Sequence, residues 1–161
     1  MNILFLTHQG DMAGSTNSIY YLADGLARRG HSVFVGCREQ SALYAMLQDS
    51  PARAVAMSFG GAMDLTNIRQ IKDAVARHSI QIINAQSSKD RYTSIWAKLL
   101  YRLPVKLFHT RRQTPRSSGN WLQNWFYTRF TDGIIAVSKG VQDSLVQLGL
   151  PAKHIHVIPN G

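Results

Sequence analysis

Residues 2–37 read NILFLTHQGDMAGSTNSIYYLADGLARRGHSVFVGC, and this stretch sets the fold class of the chain. It opens with an apolar run that predicts a buried strand. Apolar residues at the spacing of one helical face come next, and Gly30 follows them where a helix-ending glycine is expected. A second apolar run, residues 32–37, predicts another strand. We therefore expect a strand, a helix and a second strand parallel to the first.

The same alternation continues along the rest of the chain. The predicted strands are residues 2–7, 32–37, 54–58, 80–85, 105–110, 133–138 and 154–158. Among the helices between them, one is predicted to be capped by Asp64 and the next to extend over about residues 90–102. Strands that alternate with helices form right-handed crossovers. This pattern predicts one α/β domain over residues 1–161, with a Rossmann-like parallel sheet and helices on both faces. Such sheets bind ligands at the carboxyl ends of their strands, so candidate functional residues should directly follow strands.

The composition favours a globular protein of the cell interior. The 161 residues are 45% hydrophobic and 17% charged, which is typical of a domain with its own core. The single cysteine, Cys37, excludes an internal disulfide and favours a reducing compartment. No stretch approaches the roughly 20 apolar residues of a membrane span, and the N-terminus lacks the features of a signal peptide. We expect a cytoplasmic protein, peripheral on the inner face of the membrane.

The charge is strongly positive and concentrated in one segment. Lys and Arg number 18 against 9 Asp and Glu, a formal net charge of +9. No acidic residue occurs from Arg91 to Thr131, where eight basic residues occur. Such an excess indicates an anionic partner, which could be a phosphate-rich ligand, an anionic membrane or a nucleic acid. No recognisable nucleic-acid-binding pattern accompanies the charge, so we do not expect nucleic acid as the partner.

The first candidate site follows the first strand. Gly14 would let the backbone approach a ligand closely, and Ser15 or Thr16 would cap a helix whose N-terminus attracts anions. The loop is neither a dinucleotide fingerprint nor a P-loop. The alternative interpretation is an ordinary turn between strand and helix.

Two later strands also end in polar residues. His109 could transfer a proton or donate a hydrogen bond to a sugar or phosphate, and Arg111 and Arg112 could clamp a phosphate. The alternative is a packed histidine beside a solvated loop. Ser138 ends another strand, where it could bind sugar or phosphate oxygens or simply cap the next helix. The histidines and the single cysteine show no metal-ligand spacing, so no metal is predicted.

A basic and aromatic segment suits an anionic membrane surface. The predicted helix 121–130 places Trp121, Trp125 and Phe126 on one broad face together with Arg129, and Arg116 precedes it. Aromatic side chains of this kind insert into an interface, while arginine reaches the headgroups. The alternative is a helix packed on the sheet, and both can hold in part.

Several stretches in sequence order resemble the glycosyltransferase group 1 family. The most specific are LARRGHSV at residues 26–33, DGIIAVS at residues 132–138 and VIPNG at residues 157–161. Each is weak alone, but their order and spacing are typical of that family. The resemblance implies the GT-B fold of two Rossmann domains and a retaining transfer from a nucleotide-sugar, a hexosyltransferase-type activity without a cofactor.

The resemblance also implies roles for individual residues. In the family, the first-loop glycine, here Gly14 beside Ser15, lies next to the donor diphosphate. The histidine after the strand, here His109, contacts the transferred sugar. The family often has two glycines in this loop where the chain has Ala13 and Gly14, which departs from the pattern.

The family pattern makes the chain the N-terminal, acceptor-side domain. The C-terminal donor domain, with its pair of glutamates, would be absent from it, and the fragment alone would be inactive. The implied acceptor is a glycan or lipid-linked molecule of cell-envelope or lipopolysaccharide synthesis. The competing hypothesis is a non-catalytic basic Rossmann module that binds nucleic acid or a protein.

Overall fold

Strands and helices alternate along the whole computed structural model, which describes residues 1–11, 14–113 and 121–159. The strands are β1 (Asn2–Leu6), β2 (Ser32–Cys37), β3 (Arg53–Ala56), β4 (Ile82–Ala85), β5 (Lys106–Arg111), β6 (Gly133–Ala136) and β7 (Ile155–Val157). The helices are α1 (Gly14–Arg28), α2 (Ala42–Met46), α3 (Leu65–His78), α4 (Ser88–Leu100), α5 (Trp121–Phe130) and α6 (Lys139–Gln147).

The seven strands form one parallel sheet in the order β3-β2-β1-β4-β5-β6-β7. This confirms the Rossmann-like α/β fold that the sequence predicts. The chain builds outward from β1 in one direction through β2 and β3, then returns to place β4 on the other side of β1. The connections that follow β1 and β4 therefore run in opposite directions along the sheet. In sheets of this type, ligands bind at the carboxyl ends of the two strands between which the connections separate.

The alternating side chains of β1 show how both faces of the sheet become buried. Ile3 and Phe5 pack in the cluster that includes residues of α1 and α2. Leu4 and Leu6 point to the opposite face and pack with residues of α3, α4 and α5. Because neither set of side chains meets water, the sequence of such a strand is a continuous apolar run.

The predicted element boundaries differ from the observed ones by a few residues. β1 and β6 end before Thr7 and Ser138, whereas β5 extends one residue beyond its predicted end, to Arg111. Helix α4 was predicted to begin at Asp90 but begins at Ser88. Asp90 belongs to the first turn of α4 and accepts hydrogen bonds there, so it marks the helix start from inside the helix.

None of the helices in the described part of the chain has both the length and the apolar character to cross a bilayer. Across the same residues, no three or more His, Cys, Asp or Glu side chains are grouped so that they could hold a metal ion.

Candidate active-site crevice

A crevice of about 290 Å³ opens at the carboxyl edge of the sheet, where the connections that follow β1 and β4 diverge. Its walls come from the turns that follow β1, β4 and β5 and from the first turns of α1 and α4. The lining residues are Gln9, Ser15, Ile19, Gln86, Ser87, Ser88, Arg91, Thr110, Arg111, Arg112 and Gln113. Among the described residues of the lining, three are arginines, none is acidic and Ile19 alone is apolar. The crevice therefore suits a polar or anionic ligand.

The turn after β1 contributes one of its three predicted residues to the crevice. Ser15 lines the crevice from the first turn of α1, and Gly14 lies exposed beside it. A Cβ atom added to Gly14 would meet nothing within 4 Å, so sterics do not require glycine at this position. Thr16 is buried, and its hydroxyl donates to the backbone carbonyl of Asp11, which closes the turn.

The turn after β4 is held by the buried carboxylate of Asp90. One of its oxygens accepts the backbone N–H groups of Gln86 and Ser87, each at 2.8 Å. The other accepts from the Ser87 hydroxyl and lies 3.2 Å from Nδ1 of His8, which follows β1. We call Asp90, Ser87 and His8 the β1–β4 clasp, because these contacts join the ends of the two strands beneath the crevice.

The end of β5 provides the positive charge of the crevice. Arg111 and Arg112 both line it, and Nη1 of Arg112 donates to Oε1 of Gln86 at 2.5 Å. Burial lowers the pKa of the Arg112 guanidinium, and the charge of Asp90 works against that shift. Arg91 of α4 also lines the crevice and donates to the backbone carbonyl of Ser87 at 3.0 Å.

His109 lies within β5 and outside the set of described residues that line the crevice. Its side chain is 1% exposed and packs edge-on against Tyr127, with ring centroids 5.5 Å apart. Burial lowers its pKa well below the usual range, and the nearby charge of Arg91 adds to the effect. Burial therefore favours the neutral imidazole. Its catalytic role stays a prediction.

Ser138 and Arg116 are two further residues that the sequence assigns to the site. Ser138 caps α6, where its hydroxyl oxygen accepts the backbone N–H of Val141 at 3.2 Å, as the capping interpretation expects. Arg116 lies outside the residues that the structure describes. Ser15, Arg111 and Arg112 are thus the predicted residues that the crevice brings together.

Helix α5 divides its aromatic side chains between the core and the surface. Tyr127 is buried and Phe126 packs against the core, whereas Trp121 and Trp125 remain 75% and 50% exposed. The predicted broad face omitted Tyr127, which is the residue buried most deeply. Arg129 is exposed, with its guanidinium 5.9 Å from the ring centroid of Phe130. The core interpretation therefore describes part of the helix, and the membrane interpretation stays a prediction.

A shallow apolar groove of about 640 Å³ lies beside the exposed half of α5. It is lined by Ala62, Met63, Tyr92, Trp96, Leu122, Trp125 and Phe126. Met63, which precedes α3, is 70% exposed and extends the apolar surface away from α5. We call this groove, together with Trp121, the α5 apolar face.

Sequence reasoning missed Gln86, Ser87, Asp90 and His8. A usable signal existed for the first three, because they follow a predicted strand, and Ser87 with Asp90 has the spacing of a capping box. Placing the helix start at Asp90 concealed that spacing. His8 carried no comparable signal, since its partner is 82 residues away in the sequence.

Solved structures show the same fold. A protein of Anabaena, Alr3699/HepE in complex with UDP-glucose, has a TM-score of 0.80 and 20% identity, with 100% of this chain and 44% of that chain covered. A glycosyltransferase from Rickettsia africae has a TM-score of 0.81 and 17% identity, covering 99% and 43%. The lipopolysaccharide outer core galactosyltransferase WaaB has a TM-score of 0.68 and 12% identity, covering 99% and 45%.

The chain thus spans less than half the length of these solved proteins. None of the curated proteins matches the sequence significantly. A family model described as Glycosyltransferase Family 4 matches residues 12–161, which is nearly the whole chain.

Proposed function

Because the chain belongs to glycosyltransferase family 4, we propose that it forms the acceptor-binding half of a retaining, hexosyltransferase-type enzyme. The enzyme transfers a sugar from a nucleotide-sugar to a glycan or lipid-linked acceptor of the cell envelope, as in lipopolysaccharide synthesis. A second Rossmann domain, outside this chain, supplies most of the donor contacts. The chain alone is expected to be inactive.

The polar crevice between the ends of β1 and β4 is the observation that supports this function most strongly. It lies where open parallel sheets bind ligands, and its described lining holds three arginines and no carboxylate. Both substrates of such a transfer can carry phosphate groups, whose negative charge fixed cations and helix N-termini stabilise. The Anabaena structure contains UDP-glucose, which supports a uridine-linked donor as the first candidate.

The transfer itself can be tested with the full-length protein. Labelled UDP-glucose and other nucleotide-sugars would be incubated with it and with envelope lipids and lipopolysaccharide from the host. We expect label in the acceptor fraction, nucleoside diphosphate release and retained anomeric configuration. No transfer and no release with any donor would overturn the proposal.

Arg111→Gln should lower kcat/KM for this transfer by about tenfold or more, because it removes a charged hydrogen-bond donor from the crevice. Arg77→Gln is the matched control, since Arg77 is an exposed arginine near the end of α3, outside the crevice lining. Equal losses in the two variants would show that general charge, and not the crevice, matters.

The α5 apolar face supports a membrane-anchored acceptor. Exposed tryptophans beside Arg129 suit an anionic interface, where aromatic rings insert and cations meet headgroups. Co-sedimentation with phosphatidylglycerol and phosphatidylcholine vesicles at low salt tests this. We expect Trp121→Ser with Trp125→Ser to reduce binding to the anionic vesicles severalfold.

Tyr21→Ser is the control for the double variant with Trp121→Ser and Trp125→Ser. Tyr21 is 69% exposed on α1, away from the α5 apolar face. Equal binding of the unmodified protein to the neutral and the anionic vesicles would remove the membrane part of the proposal.

A further inference from the structure

Two buried hydrogen-bond donors in the crevice have no acceptor within the described chain. Nη1 of Arg112 donates a hydrogen bond to Oε1 of Gln86. Nε of Arg112 and Nε2 of Gln86 have no hydrogen-bond partner among the described residues. Gln86 is only 7% exposed, so solvent does not readily substitute for a partner. Buried donors are nearly always satisfied in folded proteins, and an unsatisfied one is costly. Two such donors, joined by one hydrogen bond in the same crevice, indicate a ligand that carries acceptor atoms.

The charge around these donors specifies what kind of acceptor fits. Arg91 and Arg111 line the crevice with Arg112, and no Asp or Glu occurs among the lining residues that the structure describes. The buried carboxylate nearby belongs to Asp90, whose oxygens already accept from the residues that hold the turn after β4. A compact anion with several oxygens would meet both free donors and balance the surrounding arginines.

The N-terminus of α1 reinforces the same preference. Ser15 lies in the first turn of α1 and lines the crevice. The first backbone N–H groups of a helix lack partners within the helix and carry partial positive charge, which attracts an anion such as a phosphate. The N-terminus of α4 contributes less, because Ser87 and Asp90 already cap it.

We propose that this crevice binds a phosphate group carried by the acceptor, so that the acceptor is a phosphorylated glycan or a lipid phosphate. Nε of Arg112 and Nε2 of Gln86 donate to its oxygens. The inference rests on the proposed function and names its acceptor class. The proposed function assigns the acceptor to this chain and most donor contacts to the second domain, so the acceptor is the expected carrier of this phosphate. A donor diphosphate has the same chemistry, and competition by UDP distinguishes the two sources.

Direct binding to the full-length protein tests the inference. The probes are glycerol phosphate, with glycerol as the neutral control, and UDP as the competitor, in a chloride buffer that contains no other phosphate. We expect glycerol phosphate to bind at least tenfold more tightly than glycerol. Arg112→Gln should weaken that binding by about tenfold or more, and Arg77→Gln should leave it unchanged.

Gln86→Glu is a second variant, which we expect to fold normally, so that loss of binding is not explained by unfolding. The new carboxylate would replace the Nε2 donor of Gln86 and pair with Arg112 from within, so thermal stability should be kept while glycerol phosphate binding is lost. Stable Gln86→Glu protein that still binds glycerol phosphate normally would overturn the inference.

The remaining outcomes separate the possible sources of the anion. If UDP displaces glycerol phosphate competitively, the crevice holds the donor diphosphate and the inference is wrong. If the protein transfers sugar but no phosphate binds in the crevice, the inference alone fails. If phosphate binds but no nucleotide-sugar supports transfer, the proposed function fails.

Discussion

Asp90 is a fully buried carboxylate that accepts two backbone N–H groups at 2.8 Å and contacts His8. Asp90→Asn would replace one acceptor oxygen with an NH₂ group that faces donors. We expect a loss of about 2 kcal/mol in the free energy of unfolding, since a buried donor would lose its partner. For a chain of this size that corresponds to a drop in Tm of roughly 4–8 °C by calorimetry.

The control for Asp90 is Asp143→Asn, which removes an exposed ion pair with Lys139 on α6. Exposed pairs of this kind contribute little, so Tm should change by less than about 2 °C. A similar drop in both variants would show that the clasp does not depend on the buried carboxylate.

Asp132 links stability to acid pH. Burial acts to raise its pKa, but hydrogen bonds from Lys98, the backbone of Leu107 and Lys106 outweigh burial and hold the pKa at about 2. Since the unfolded value is about 3.9, folding favours the ionised form. Its stabilisation is complete above about pH 4 and is lost as the pH falls to about 2.

Asp132→Asn should therefore lower the free energy of unfolding at pH 7 by on the order of 2 kcal/mol. In urea unfolding measured from pH 7 to pH 2, the difference from the unmodified protein should shrink below pH 4. A constant difference over the whole range would contradict the role given to the charge. Asp73→Asn, which alters an exposed pair with Lys72, should show little effect at any pH.

At the level of helices and strands, Ser79 ends α3 in the left-handed region, with φ 49° and ψ 46°. Non-glycine residues are strained there, and glycine is the usual residue at this position after a helix. Ser79→Gly should raise the free energy of unfolding by about 0.5–1 kcal/mol, measured by urea unfolding. Ser144→Gly in the interior of α6 should lower it by a similar amount. A lower free energy of unfolding in both variants would show that backbone entropy outweighs strain at Ser79.

The elements themselves were largely predictable from local pattern. Apolar runs and helical periodicity identified each strand and helix, and Asp64 was correctly predicted to cap α3, where it accepts the N–H groups of Thr66 and Asn67. Element ends were less predictable, because they depend on side-chain contacts such as those of Asp90. A sequence pattern does not show which neighbour satisfies a buried group.

The candidate site was predictable only in part. The rule that ligands bind after parallel strands located Ser15, Arg111 and Arg112 at one crevice. The same rule made His109 a candidate because it lies near the end of the predicted strand 105–110, but its side chain packs in the core beside Tyr127. When both faces of a strand are covered, the sequence pattern does not show which side chain reaches a crevice and which one packs in the core.

For the molecule as a whole, the excess of positive charge should weaken folding through self-repulsion. The net charge is +9, and Asp132 is shared between Lys98 and Lys106. Chloride screens repulsion between exposed charges, whose range at physiological ionic strength is about 8 Å. Tm should therefore rise by a few degrees between low salt and about 0.3 M NaCl in differential scanning calorimetry. A fall in Tm would show that attractive pairs dominate the balance.

The β1–β4 clasp bears on how the protein can change its specificity during evolution. Asp90 joins the turn after β4 to His8, so the ends of β1 and β4 are held together at the floor of the crevice before any ligand binds. New acceptors would then be accommodated by altering the turns above that floor, while substitutions in the floor would loosen both strands at once. Lineages that diverge in substrate should keep the floor and vary its upper rim.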